Sequence, residues 1–200
     1  MADQHIRKVL NVGGNSKNIA IPSQYNGWQH MLLDIDPRGM PDIVCDAREL
    51  MNMEANQYDA IYCSHNLEHY YRHDVYKVLR GFAHVLKVDG FVDIRVPDIE
   101  ALMRTVVENK MDIDDFLYDS PAGPITVRDV IYGYGVEIER SGNDFFAHKT
   151  GFSPISLQNI LNECGFPIVL VSVGNIEVAA LAFKENPTDY VKNLFSLPTT

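Results

Sequence analysis

Four pairs of polar or small residues stand where four apolar runs of the sequence end. They are Gly13-Gly14, Asp34 with Asp36 two residues on, Asp46-Ala47 and Ser64-His65. Glycines after a strand let a ligand approach the backbone, and free N–H groups there can meet an anionic group. An acid in the second position can take both hydroxyls of a ribose. Each feature alone is weak, but four in this order indicate a site for a nucleoside-like ligand.

A second group of candidates is rich in histidine. His65, His69 and His73 are spaced four apart, and Glu68 stands beside His69. In a helix these histidines would lie broadly on one side. The His-x-x-Glu-His order also occurs in zinc proteases, and zinc accepts two imidazoles with a third ligand, a place that the distant His148 or His30 could fill. The spacing alone leaves metal binding open.

The elements that would position these residues alternate short apolar runs with amphipathic stretches. This alternation is typical of βαβ units and a mostly parallel sheet. Five strands are predicted within residues 9–12, 31–35, 42–45, 58–63 and 91–96. Two further runs, 168–173 and 176–183, are separated by Gly174-Asn175 and predict an antiparallel hairpin. Ligands of such sheets bind beyond the carboxyl ends of the parallel strands.

The predicted helices are unequal. Asp46 is a plausible N-cap for a helix that begins at 47, and Asp74 suits the N-cap of the longest helical pattern, which ends at an Asp89-Gly90 turn. Helices are also predicted over 98–109 and after Ser153-Pro154. The segment 15–30 is too broken for a long helix, so the first helix is expected to be abbreviated.

We therefore expect a single domain over residues 1–184 and a loosely attached C-terminal tail over 185–200. Residues 110–150 are irregular in pattern and are interpreted as a substrate-side insert. Among them Tyr118, Arg128, Tyr132, Tyr134, Asp144 and His148 are the candidates for contact with a substrate.

Composition excludes several classes of protein. The chain has 200 residues, of which 46% are hydrophobic, and a formal net charge of −10. This balance argues against a disordered chain and against a non-specific nucleic-acid binder. No apolar run approaches the roughly 20 residues of a membrane span, and no secretory signal is visible at the N-terminus. The three cysteines are far apart, so a reducing, cytoplasmic location is expected.

The strongest sequence signal lies around the fourth strand. It runs from Tyr58 to Leu67-Glu68-His69 and continues through Val85–Gly90 to Val96-Pro97-Asp98. Over about residues 7–183 the chain resembles class I S-adenosylmethionine-dependent methyltransferases of the small methyltransferase-domain type, the Leu-Glu-His subgroup. The resemblance implies an α/β, Rossmann-like sandwich with a mostly parallel seven-stranded sheet and a C-terminal antiparallel hairpin.

The resemblance also implies roles for the strand-end residues. Gly13 and Gly14 would lie under the methionine moiety of S-adenosyl-L-methionine, Asp34 would hold the ribose, and Asp46 with Ala47 would meet the adenine. Ser64 and His65 would line the pocket near the sulfonium. The cofactor-binding set is therefore Asn11, Gly13, Gly14, Asp34, Ile35, Asp46, Ala47, Ser64 and His65.

This sequence departs from the family pattern in its first loop. Asn11 stands in place of an acid that normally helps to hold the cofactor's ammonium end, and Asn15 and Lys17 replace two glycines. In the family, Glu68 and His69 mainly support the loop that carries them, and no metal ligand is assigned here. Some related methyltransferases bind a divalent metal through a Glu-x-x-Glu-His arrangement, whose first Glu position is His65 in this sequence, so the resemblance leaves metal binding open. The candidate catalytic residues are His148, as a general base for a hydroxyl acceptor, and His69.

Three functions remain open at this point. The first is methyl transfer to a small-molecule or saccharide-like acceptor, with no nucleic-acid or membrane partner and with a homodimer allowed. The second is a non-catalytic binding or partner protein with the same fold and a degenerate glycine loop. The third is a metalloprotein built on the histidine cluster.

Overall fold

A computed structural model describes residues 6–198 of the chain. Its main feature is a seven-stranded sheet with the strand order β3-β2-β1-β4-β5-β9-β8. The strands of this sheet are β1 Lys8–Val12, β2 Gln29–Asp34, β3 Ile43–Val44, β4 Tyr58–Ser64, β5 Leu86–Pro97, β8 Ile168–Gly174 and β9 Glu177–Phe183. Strands β1 to β5 run parallel to one another, whereas β9 pairs antiparallel with both β5 and β8. The predicted fold class, including the C-terminal hairpin, is confirmed.

The hairpin turn lies one residue later than the sequence indicated. Its two central residues are Asn175 and Ile176, and both have left-handed backbone angles, with φ of 53° and 58°. A β-branched residue is rare in that region. Ile176 is held there because its carbonyl accepts a hydrogen bond from the backbone N–H of Asp98 at 3.0 Å.

One face of the sheet carries the regular helices α1 Arg72–Val85 and α5 Pro154–Glu163. Their apolar sides close the largest core cluster, in which Phe82, Leu79, Leu161 and Phe166 are fully buried. Helical spacing of the apolar residues predicted both elements. Ser153 caps α5 as its hydroxyl accepts from the N–H of Ser156.

Two boundaries of α1 differ from the prediction. Asp74 lies in its first turn and Tyr71 is the N-cap residue. The helix ends at Val85 and passes directly into β5, so the expected turn at Asp89-Gly90 does not form. Instead, residues 87–90 bulge from β5, which pairs with β4 on either side of the bulge.

The opposite face lacks a first helix, as expected from the broken sequence after β1. Between β1 and β2 the only helical element is the 3₁₀ turn Ser23–Tyr25. The C-terminal helix α6, Asp189–Leu194, covers this face together with Tyr25 and Trp28. The tail was expected to be loosely attached, but Val191 is buried, because it packs in the same apolar cluster as Val9 and Phe91 of the sheet.

The segment 110–150 is more regular than its composition suggested. It follows α2, Ile99–Asn109, and contains the hairpin β6 Phe116–Ser120 and β7 Gly123–Thr126. The short helices α3 Val127–Tyr132 and α4 Gly135–Ser141 come next. Ile125, Val127 and Val130 pack with Leu102 of α2 in a separate small core. No helix within residues 6–198 is both long and apolar enough to span a membrane.

Candidate functional site

A cleft of about 410 Å³ opens at the carboxyl ends of β1, β2 and β4. Its floor comes from the strand ends, and one side comes from the segment 144–149 of the insert. The lining residues are Gly13, Asn15, Asp34, Ile35, Asp36, Asp46, Arg48, His65, Asn66, His69, Tyr70, Tyr71, Asp74, Asp144, Phe145, Phe146 and Lys149. This volume is within the range of small-molecule and cofactor sites.

The loop after β1 crosses the floor of the cleft. Gly13 has φ +73°, and a Cβ there would meet the Asn66 side chain at 2.0 Å. Asn15, which stands where the family has a glycine, has φ +59°. Asparagine is among the few non-glycine residues that adopt this conformation routinely. The loop therefore keeps a glycine-like backbone in spite of its altered sequence.

Asp34 ends β2 and is fixed in place by that loop. One carboxylate oxygen accepts the N–H of Asn15 at 2.8 Å, and the other accepts the N–H of Asp36 at 2.9 Å. The residue is only 7% exposed, yet it lines the cleft. A carboxylate oxygen has more than one lone-pair site, so both oxygens can still accept a hydrogen bond from a ligand. Ile35 lies beside it in the cleft wall.

Four residues of the predicted cofactor-binding set do not line the cleft, namely Asn11, Gly14, Ala47 and Ser64. Asn11 is buried beneath the loop, where its side-chain amide lies 3.2 Å from Nε2 of His30. It touches the loop from below, because a Cβ on Gly14 would lie 2.2 Å from Asn11 Nδ2. Ala47 is buried, and Ser64 pairs with Arg95 of β5.

Lys17 also lies outside the cleft lining. Its ammonium group pairs with Asp42 at 2.6 Å. The positive charge in this loop is therefore neutralised outside the cleft.

Asp46 is the N-cap of a 3₁₀ helix, Ala47–Asn52, and its carboxylate is already engaged. Both oxygens bind Arg48, through the backbone N–H at 2.9 Å and the guanidinium at 2.6 Å. Burial raises the pKa of Asp46, but the hydrogen bonds from Arg48 outweigh burial and lower it. The same guanidinium reaches Asp74 at 3.3 Å. Sequence reasoning did not identify Arg48 as a site residue, and its position two residues after a predicted N-cap was the available signal.

His65 lies at the edge of the cleft in a left-handed conformation, with φ 50°. Its Nε2 is 3.0 Å from the carboxylate of Glu177 and its Nδ1 is 3.4 Å from Glu68. Burial lowers the pKa of His65, but the two carboxylates outweigh burial and raise it to about 10. This histidine is therefore positively charged at neutral pH.

The single helical face that the spacing of His65, His69 and His73 would give in a helix does not form. Residues 67–69 form a 3₁₀ turn after a loop, and His73 lies in the first turn of α1, where its side chain is 73% exposed. The partner that the structure brings to His69 is His148, with ring centroids 4.9 Å apart. The N–H of Lys149 binds the Glu68 carbonyl at 2.7 Å and joins the two segments.

His148 does not line the cleft and lies behind His69. Its Nδ1 is 2.9 Å from the Val130 carbonyl, so this nitrogen donates and Nε2 carries the lone pair. Burial is the main cause that lowers the pKa of His148, so its imidazole is neutral at pH 7.

The insert supplies a different set of residues from the one predicted. Of the six candidates, only Asp144 lines the cleft. Arg128 pairs with Asp114 at 2.6 Å, and Tyr134 donates to the Ala122 carbonyl at 3.0 Å. Phe145, Phe146 and Lys149 line the cleft and were missed, although they adjoin His148 in sequence.

The cleft is acidic and aromatic overall. Five aspartates line it, namely Asp34, Asp36, Asp46, Asp74 and Asp144, against three cations, Arg48, Lys149 and the protonated His65. Tyr70, Tyr71, Phe145 and Phe146 supply aromatic surface. Such a lining favours a positively charged ligand with a flat ring.

Comparison with known proteins agrees with this geometry. Residues 4–94 match the family model described as a methyltransferase domain. No curated protein matches the chain significantly.

Solved structures show the same fold at low sequence identity. A SAM-dependent methyltransferase from Archaeoglobus fulgidus is 16% identical with a TM-score of 0.56, covering 89% of this chain and 86% of that one. A SAM-dependent methyltransferase from Thermotoga maritima is 16% identical, with a TM-score of 0.55 and coverages of 90% and 82%. A 1,6-didemethyltoxoflavin-N1-methyltransferase from Burkholderia thailandensis, solved with S-adenosylhomocysteine, is 15% identical, with a TM-score of 0.53 and coverages of 90% and 72%.

Proposed function

We propose that this chain is a class I, S-adenosylmethionine-dependent methyltransferase that transfers a methyl group from S-adenosylmethionine to a small-molecule or saccharide-like acceptor; the methyltransferase-domain match over residues 4–94 and the shared fold support this proposal. The observation that carries the proposal is Asp34. Its carboxylate ends β2 at the edge of the cleft and is held by two backbone N–H groups before any ligand arrives. A fixed acceptor of this kind binds a ribose diol without reorganising.

The residues of the cleft fit the cofactor in charge and shape. The sulfonium and ammonium groups of S-adenosylmethionine are positive, and five aspartates line the cleft against Arg48, Lys149 and the positively charged His65. Gly13 and the left-handed Asn15 let the cofactor lie against the backbone. When bound, the cofactor supplies an electrophilic methyl group on sulfur.

The adenine end is the weaker part of the proposed site. Arg48 engages both oxygens of Asp46, so Asp46 offers an exocyclic amine only its remaining lone pairs. The backbone N–H of Ala47 is the other proposed contact to the adenine. Tyr70 and Tyr71 supply the aromatic surface against which a flat ring packs.

The proposed acceptor end lies where the insert meets the cleft. Phe145, Phe146 and Lys149 face the strand ends across the opening. These side chains would hold an acceptor against the methyl donor and exclude water. Methyl transfer is a direct displacement, so alignment of donor and acceptor supplies most of its rate.

His69 is proposed to act on the acceptor's hydroxyl, and His148 is proposed to hold His69 in place. His69 is the one that lines the cleft, and His148 packs on it from behind. His148 is therefore a positioning residue rather than a group that touches the acceptor. Ser64 and Asn11, which do not reach the cleft, are proposed to support the strand ends.

Transfer of labelled methyl groups tests this function. The purified chain is incubated with methyl-labelled S-adenosylmethionine and a panel of small hydroxyl compounds and saccharides. We expect label on at least one acceptor, loss of transfer in Asp34→Asn, and unchanged transfer in Asp89→Asn, an exposed aspartate outside the cleft. Tight cofactor binding without transfer to any acceptor would instead favour the non-catalytic binding protein.

A further inference from the structure

Glu68, His69 and His148, which we call the Glu68 cluster, meet at the inner wall of the cleft. One possible ligand atom from each lies within 4.8 Å of the others. We propose that the Glu68 cluster binds a divalent transition-metal ion of the zinc type.

The Glu68 carboxylate is buried and lacks hydrogen bonds. Glu68 is 1% exposed, and neither of its oxygens accepts a hydrogen bond. The nearest nitrogens are His65 Nδ1 at 3.4 Å and His148 Nε2 at 4.0 Å, and neither forms one. The ion pair with the positively charged His65 therefore leaves both oxygens of this buried carboxylate without a hydrogen bond. Burying such a group costs free energy, so a further cation beside it would be stabilising.

The two imidazoles are oriented by backbone carbonyls. His148 Nδ1 donates to the Val130 carbonyl at 2.9 Å, and His69 Nδ1 donates to the Ala147 carbonyl at 3.2 Å. In each ring the Nδ1–H donates to a backbone carbonyl, so Nε2 keeps a lone pair. Metal-binding histidines are held in the same way, with the second nitrogen donating to a carbonyl or carboxylate.

Backbone hydrogen bonds hold the two segments of the Glu68 cluster together. The backbone N–H groups of Lys149 and Thr150 both bind the Glu68 carbonyl, at 2.7 and 3.2 Å. This joint fixes the segment that carries His148 to the 3₁₀ turn that carries Glu68 and His69. Zinc holds nitrogen and oxygen ligands at about 2.0–2.2 Å, so small inward rotations of the side chains would complete the site.

The donor set selects the class of metal. Two imidazoles and one carboxylate suit zinc, iron or cobalt, whereas magnesium prefers oxygen ligands alone. Three protein ligands leave at least one coordination position open. Because His69 also lines the cleft, that position can take an oxygen of the methyl acceptor and lower the pKa of its hydroxyl. This last step rests on the proposed function; metal binding itself does not.

The expectation of no metal ligand came from the sequence around Leu67-Glu68-His69 alone. The spacing of His65, His69 and His73 suggested a histidine face that does not form. The third ligand is His148, about 80 residues later in the chain and one of the two distant histidines that the sequence offered for this place. The pairing depends on contacts between the insert and the 3₁₀ turn, which no local pattern reveals.

Zinc titration of the full chain, stripped with a chelator, tests the proposal. We expect one zinc ion per chain with a dissociation constant below about 1 µM. Glu68→Gln and His148→Ala should each weaken binding by roughly 100-fold or more. Glu68→Gln preserves the shape of the buried side chain, and circular dichroism and a thermal melt establish that each variant is folded. His73→Ala, which removes an exposed histidine nearby, is the matched control and should bind as the wild type does.

Three results would overturn the proposal. The folded wild type would take up no zinc at about 10 µM, or it would prefer magnesium to zinc, or His73→Ala would lose as much affinity as His148→Ala. The titration contains neither cofactor nor acceptor. A protein that binds zinc but transfers no methyl group would therefore contradict only the proposed function.

Discussion

The two walls of the cleft are built differently. The proposed cofactor wall consists of residues at strand ends, Gly13, Asp34 and Asp46, and its geometry follows from the order of the parallel strands. The opposite wall consists of a 3₁₀ turn and the insert, which backbone hydrogen bonds from Lys149 and Thr150 join over about 80 residues. The sheet fixes the geometry of the first wall, whereas the hydrogen bonds from Lys149 and Thr150 to the Glu68 carbonyl fix that of the second. The two walls should therefore be separable by mutation.

Gly133→Ala should have the largest effect, and it should act on the insert wall alone. Gly133 has φ +96°, and a Cβ there would lie 2.1 Å from the Phe146 carbonyl. This backbone region is strained for any other residue and costs on the order of 3 kcal/mol with the clash added. Urea denaturation should show this loss, and zinc affinity should fall because His148 moves.

Gly142→Ala is the matched control for that variant. It has φ +67°, and no atom lies within 4 Å of its Cβ position, so it should cost only about 1–2 kcal/mol. S-adenosylhomocysteine affinity should stay within about threefold of wild type in both variants, a difference under about 0.7 kcal/mol. A large loss of that affinity in Gly133→Ala would show that the walls are not independent.

Asp34→Asn should have the next largest effect, and it should act on the cofactor wall. The variant loses a charge and one acceptor, and hydrogen bonds to charged groups contribute about 1.5–3 kcal/mol. Calorimetry should show a roughly 10- to 100-fold loss of S-adenosylhomocysteine affinity. Zinc affinity should not change, so a parallel loss of zinc would contradict the separation of the walls.

Asp46→Asn should have a smaller effect on the same wall. Arg48 already engages both oxygens of Asp46, so little of this carboxylate is left for the adenine. We expect less than a 10-fold loss of S-adenosylhomocysteine affinity, or under about 1.4 kcal/mol. A loss as large as that of Asp34→Asn would make Asp46 an equal contributor to binding.

Asp93→Asn lies away from both walls and should have the smallest effect. Burial raises the pKa of Asp93, although Arg95 and the Tyr25 hydroxyl, which donates to it at 3.2 Å, oppose the shift. A raised folded-state pKa means that the folded protein binds the proton more tightly than the unfolded chain. The Asp93 contribution to stability is therefore greatest at low pH and declines as pH rises through the folded-state pKa.

The consequence is measurable by urea denaturation at several pH values. The variant should be more stable than wild type at pH 7, by up to about 1 kcal/mol, and this advantage should shrink toward pH 4. An advantage that grows on acidification would mean that the pKa of Asp93 is lowered in the folded protein.

The same contrast explains how much the sequence could predict. Apolar runs and the Leu67-Glu68-His69 signal predicted the sheet, its hairpin and the place of Asp34, because parallel strands meet at one edge. Local patterns could not predict that Asp46 is engaged by Arg48, since this depends on a side-chain conformation. They also missed the strand bulge at 87–90, because an Asp-Gly pair is typical of a turn.

The insert was the least predictable region. Its hairpin and short helices are stabilised by a small core with α2, and the polar composition of 110–150 conceals that packing. The partnership of His148 with His69 arises only when the insert docks on the 3₁₀ turn. The insert wall is therefore known from the structure and not from the sequence.

Calorimetric titration of S-adenosylhomocysteine into the wild-type chain tests the central claim most directly. We expect one S-adenosylhomocysteine site per chain with micromolar affinity, because Asp34 and the loop around Asn15 are already arranged for a ligand. No binding at millimolar cofactor would contradict it, and would mean that the substitutions at Asn11 and Asn15 have disabled the cofactor wall despite its glycine-like backbone.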